Sequence, residues 1–199
     1  MQVLRGASFE EFVRWYVARE RQKRRQDPNL GERSWDSLLT EMRGAYPGKL
    51  RPWFARGRWN VVLLDTLAEA LTLVCVDNPE ARRNGLVTGV SKDNRIARNV
   101  IARARELNYF DPGDAGRSNA IEGHYRQERI EAYRRSWPQL RDRERVTLCG
   151  LNEDERSGNP RGSYYLHDGF GRLVPYLYLV VYEGREYNPV EAFLAEEMA

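Results

Sequence analysis

Two cysteines, two histidines and three lysines are all that this chain of 199 residues holds of those types, and each scarcity removes a class of protein. Cys75 and Cys149 have no CxxC neighbour, which excludes a disulfide framework and a paired-thiol redox motif. Cys75, His124, Cys149 and His167 lack the paired ligand spacing of zinc sites, so no metal site is expected. A bilayer span needs about 18 nearly uninterrupted apolar residues. The longest apolar stretch, residues 173–182, is shorter and contains Pro175 and three tyrosines, so no membrane partner is expected. The opening MQVLRGASFEEF lacks the basic-then-apolar layout of a signal peptide. Together with the sparse thiols, this points to a reduced, cytoplasmic protein. Neither a Walker-type loop nor a Ser/His/Asp set is present.

What the chain does have is apolar mass and arginine. Hydrophobic residues make up 41%, enough for one ordinary core without covalent staples. Lys and Arg together number 32, so three lysines leave 29 arginines, and guanidinium suits bidentate pairing with phosphate or carboxylate as ammonium does not. Position matters more than the total of +3. Residues 1–150 carry 28 cations against 20 anions (+8) and residues 151–199 carry 4 against 9 (−5), which sum to that total.

Local signals divide the chain into helices first and strands later. Ser8-Phe9-Glu10-Glu11 is a capping box, and Phe9, Phe12, Val13, Tyr16 and Val17 then recur on one helical face. The cations from Arg19 to Arg25 read as the solvated end of that helix. A short helix is expected near residues 34–44, a strand over 59–64, and a helix capped by Asp65-Thr66 running through Val76. Further helices are expected over 93–107 and 119–137. From Arg145 the pattern turns to strands over 146–150, 163–167 and 190–195, with a polar loop at 152–162. The expected fold class is α+β: a mostly helical, basic part, residues 1–140, packed on a small mixed-sheet segment, residues 141–199, as one compact unit.

Chemistry concentrates in Asp168-Gly169-Phe170-Gly171-Arg172. A strand that ends in a Gly-rich turn and opens a helix offers free backbone N–H groups and the positive end of a helix dipole. Gly169 and Gly171 would admit a phosphate without a Cβ in the way, and Arg172 could close on it with a forked guanidinium. The rival is a β-hairpin with DGFG as its turn. The β-rich composition of residues 173–182 favours that rival, and Pro175 troubles a helix.

The run SYYLHDGFGRL from Ser163 to Leu173, after a strand and a polar loop, resembles the ParB/sulfiredoxin-like superfamily over about residues 145–196. Those domains carry a strand, a D-G-x-x-R or related turn, a helix and a short strand. The resemblance therefore implies a helix ending at Gly184 and a strand from Val190. It also implies that the turn and its arginine hold nucleotide phosphates, as in relatives that are CTP-hydrolysing clamps, free-serine kinases and sulfinic-acid reductases. Carried over, Gly169, Phe170, Gly171 and Arg172 form the phosphate cradle and Asp168 is the placed carboxylate. The reductase Cys-His pair and the kinase histidines are missing before Arg172, and only 27 residues follow it, too few for a DNA-binding domain.

The leading expectation is a nucleotide- or phosphate-binding protein, a phosphotransferase or nucleotide hydrolase if it is an enzyme. A nucleoside triphosphate with magnesium is its expected cofactor. Asp168 and His167 are candidate catalytic groups. Because the C-terminal segment is acidic, arginines from elsewhere must complete the pocket; Arg161 and the arginines at 95–105 are candidates. The alternative is a non-catalytic nucleic-acid-binding protein in which Arg51, Trp53, Arg56, Arg58 and Trp59 form a platform of interleaved cations and aromatics.

Overall fold

The structure, a computed structural model, describes residues 1–26, 54–75, 85–86, 95–110, 120–150 and 164–198. The short helix expected near residues 34–44 and the polar loop at 152–162 lie outside them. Strand β1 (Gln2–Ala7) leads into helix α1 (Phe9–Gln26), whose Glu11 backbone N–H donates to the Ser8 hydroxyl at 3.1 Å, one half of the expected capping box, while the Glu11 carboxylate accepts from Arg5. A 3-10 turn at Phe54–Arg56 precedes β2 (Arg58–Leu64). Thr66 caps α2 (Leu67–Leu71) in a reciprocal capping box with Glu69. The helix expected to continue through Val76 stops there. The Thr72 backbone N–H and hydroxyl both turn back to carbonyls of the last turn, and Val74–Cys75 forms β3.

Helix α3 spans Ala97–Glu106 and α4 spans Ala120–Arg135. Strands β4 (Val146–Gly150) and β5 (Tyr164–Asp168) follow, then helix α5 (Phe170–Glu183) and strand β6 (Val190–Glu196). The stretch whose composition favours a hairpin, and for which the resemblance implies a helix, is helix. Its N-cap Gly169 and C-cap Gly184 both take positive φ, +105° and +67°. Pro175 removes the N–H that would reach the Gly171 carbonyl, and Gly171 is exposed, so water can serve that carbonyl instead.

The six strands form one mixed sheet in the order β1-β2-β6-β4-β5-β3. β6 runs antiparallel to β2 and parallel to β4, and β5 runs antiparallel to β4 and parallel to β3. Among the described residues, the parts before and after residue 141 each supply three strands, so the first part is woven into the sheet rather than laid against it. On one sheet face, Val62, Leu148, Leu166 and Leu194 pack under α2 to α5. On the other, Trp59, Cys149, Tyr165 and Phe193 pack under α1 and Phe54. The two cysteines are buried on opposite faces and both are free thiols. Among the described residues, no helix is long and apolar enough to cross a membrane.

Candidate anion site at the β5–α5 turn

Strand β5 ends in a bulge that decides where its last side chains go. Leu148 faces Leu166 across the β4–β5 ladder, and the next pair is Thr147 with Asp168, so His167 is the extra residue on β5. Val146 and Leu148 lie in the core beneath α5, which turns the intervening Thr147 to the α1 face. Asp168, its ladder partner, is carried to that face as well. There the carboxylate meets α1: Arg19 Nη1 donates to Asp168 Oδ2 at 2.5 Å.

From the other side Arg172, on the first turn of α5, donates through Nη2 to the same Oδ2 at 3.1 Å and to the Arg145 carbonyl at 2.8 Å. Two guanidiniums from different helices thus converge on one carboxylate oxygen, beside the positive end of the α5 dipole. Arg172 is only 4% exposed. Burial pushes its pKa down from the usual guanidinium value; Asp168 opposes that shift, whereas the nearby Arg19 charge adds to it. Its Nε is buried with no hydrogen-bond partner among the described residues, and Glu144 Oε2 lies 3.9 Å from it. The Thr147 hydroxyl is similarly buried and unpartnered.

The two glycines differ in kind. Gly169 is left-handed, and a Cβ there would lie 2.6 Å from Val146 Cγ1 and 3.0 Å from Arg172 Nη2, so close packing of the turn on β4 demands glycine. Gly171 is exposed, and a Cβ there would have nothing within 4 Å. Its backbone, at the second helical position, is the open part of the turn. Phe170 packs against the main core and is partly buried. His167 presents its ring edge-on to Phe54 at 5.0 Å and is half-buried.

Arg161 lies outside the described residues. Of the arginines at 95–105, Arg103 pairs with Glu106, and Arg105 covers the ring of Tyr182 at the far end of α5. The second cation at the turn is Arg19. Its place continues the apolar stripe Phe12, Tyr16 at i+4 and i+7, and its guanidinium lies over Trp15 and Tyr16, 5.5 and 5.8 Å from the ring centroids. That spacing is visible in the sequence, where the expectation of a solvated helix end passed it over.

The aromatic platform is corrected at Trp59. Its ring is 3% exposed, stacks on Phe12 at 4.5 Å and donates from Nε1 to the Phe54 carbonyl, so no base can stack on it. Arg58 pairs with Glu196, and Arg56 is exposed. Arg51 and Trp53 lie outside the described residues. No group of three or more His, Cys, Asp or Glu among the described residues could hold a metal ion. Comparison with protein-family models, with curated proteins and with solved structures yields no match to this chain.

Proposed function

We propose that the chain binds a nucleotide or another phosphorylated ligand at the β5–α5 turn. The observation that carries this reading is the pair of buried guanidiniums, Arg19 and Arg172, gathered at a helix N-terminus with no hydrogen-bond acceptor for the Arg172 Nε among the described residues. A buried donor without an acceptor costs about 1–3 kcal/mol, and for a charged group more, so a site of this kind is stabilised by an oxyanion that reaches it. Helix N-termini and arginine forks both suit phosphate, and this turn has both.

A nucleoside triphosphate with magnesium fits the cationic side of the site. Arg19, Arg172 and the first backbone N–H groups of α5 would hold phosphate oxygens, and magnesium would arrive on the phosphates with most of its water shell. Asp168 and His167 are the titratable groups beside the phosphate position. The nucleic-acid alternative retains Arg56 and Arg58 among the described residues but lacks its stacking surface at Trp59.

The test is thermal unfolding of the wild type and of Gly171→Glu with each nucleoside triphosphate plus magnesium. Gly171→Glu adds a carboxylate at the open part of the turn, where a Cβ meets nothing within 4 Å. A ligand at a hundred times its dissociation constant adds about 2.7 kcal/mol, which for a chain of this size raises the melting temperature by roughly 5–10 °C. The expected result is such a shift with one nucleotide in the wild type and its loss in the variant. Turnover of that nucleotide then separates a phosphotransferase or hydrolase from a binding protein. No shift with any nucleotide refutes the nucleotide form of the proposal.

A further inference from the structure

We infer that Asp168 is a built-in competitor for the ligand: its carboxylate holds the position between Arg19 and Arg172 that a dianionic phosphoryl group takes on binding. This rests on the anion-binding reading above and adds to it the charge class of the ligand and a means by which the protein regulates its own affinity.

Three observations point the same way. The first is the shared oxygen. Arg19 and Arg172 come from helices on opposite faces of the sheet, and both donate to Oδ2 of Asp168. A single atom of negative charge sits where two cationic forks meet, which is the geometry of one oxygen of a bound phosphate. The second is the bulge. Without His167 as an extra residue, the regular alternation of β5 would turn Asp168 to the α5 face; the bulge turns it to the α1 face, where Arg19 lies.

The third is the order of exposure. The side chain of Asp168 is 27% exposed, against 9% for Arg19 and 5% for Arg172. Asp168 is therefore the solvent-side member of the trio, and an anion approaching from solvent meets it before it meets either guanidinium. Asp168 also leaves the Arg172 Nε without an acceptor. A phosphoryl group has three oxygens and can take Nη2 and Nε together while a further oxygen meets Arg19, which the one shared oxygen of Asp168 does not do. A monoanionic carboxylate brings no more charge than Asp168 already supplies, so the competition selects for a dianion.

The experiment compares wild type with Asp168→Asn, using inorganic phosphate and acetate as probes, by isothermal calorimetry and by thermal unfolding in chloride buffer. Asparagine keeps the shape and removes the charge. Phosphate is expected to bind Asp168→Asn at least tenfold more tightly than wild type, and to restore the melting temperature that the variant loses in chloride. Acetate is expected to bind wild type not at all. Wild-type binding of phosphate that is unchanged or weaker in Asp168→Asn overturns the competition and leaves the anion site standing, with Asp168 then acting for the ligand. Failure of both proteins to bind phosphate removes the anion site itself. A second measurement avoids the variant. In wild type carrying ¹³C-labelled aspartate, saturating phosphate should move one carboxyl signal, assigned to Asp168, and a static signal alongside bound phosphate overturns the inference.

Discussion

Adding one methyl group at Gly169 should cost far more than adding one two residues later, and the two glycines of the turn make a matched pair. At Gly169, φ is +105°, and holding an L residue there costs about 1–3 kcal/mol. The new Cβ would also lie 2.6 and 2.9 Å from Cγ1 and Cβ of Val146, a core residue with no freedom to retreat, and such overpacking costs about 1–3 kcal/mol more. Gly169→Ala is therefore expected to lose about 2–6 kcal/mol from a total that is typically 5–15 kcal/mol. At Gly171 the Cβ meets nothing within 4 Å and the residue is helical, so Gly171→Ala should gain about 0.5–1 kcal/mol. Urea unfolding measures both, with the slope against urea unchanged if only the native state is affected. Val146→Ala in the Gly169→Ala background should return part of the steric cost, which a double-mutant cycle reads as coupling. If Gly169→Ala falls within about 1 kcal/mol of wild type, or Gly171→Ala is the more damaging, the account of this turn is wrong.

Arg172→Met should destabilise by about 3–5 kcal/mol in urea, because it strips a buried partner from Asp168 and a donor from the Arg145 carbonyl; a near-neutral result would show that Arg172 is not a structural anchor. Alkali should weaken the fold above about pH 10. Burial raises the Tyr176 phenol to about 12, and raises Tyr187 as well, against about 10 in an unfolded chain. The unfolded state thus loses its protons first, and stability present below pH 10 is lost as pH rises toward 12. Tyrosinate absorbance followed with unfolding from pH 9 to 12 should show this, and Tyr176→Phe should flatten it. Cys75 and Cys149 are both buried, with the Cys75 thiol pushed up to about 12, so neither should react with a thiol reagent at pH 8 until the chain unfolds.

Much of the architecture was legible because local chemistry and burial agree. The caps at Ser8 and Thr66, the strands at 58–64 and 146–150 and the helix stop at Gly184 all sit where side-chain or backbone chemistry demands them. Strand β1 gave no warning because it has no alternation to read: it lies at the sheet edge, and Gln2 to Gly6 are all exposed. The run over 173–180 was ambiguous for the opposite reason. Nearly every residue of α5 there is buried, which erases the polar face by which a helix is recognised. At the candidate site, Asp168, Gly169 and Arg172 stood out as a motif. Arg19 did not, because its role depends on α1 crossing the sheet face above β5, and no local pattern encodes that crossing. Thr147 was equally hidden, since only the one-residue slip of the β4–β5 ladder sets it opposite Asp168.

The position of β6 bears on how the chain is made. β6 lies between β2 and β4, and Arg58 of β2 meets Glu196 of β6 across 138 positions of sequence. During synthesis the ribbon of β1 and β2 therefore emerges long before the strand that joins it to the rest of the sheet. Until β6 arrives, the edges of β2 and β4 are both bare, and contacts of such long range form slowly. A nascent chain halted before residue 190 would carry two half-sheets with sticky margins, open to pairing with each other out of register or with a neighbouring chain. Arrival of β6 acts as the closing stitch, so the burden on chaperones should fall on the interval before residues 190–196 have been made.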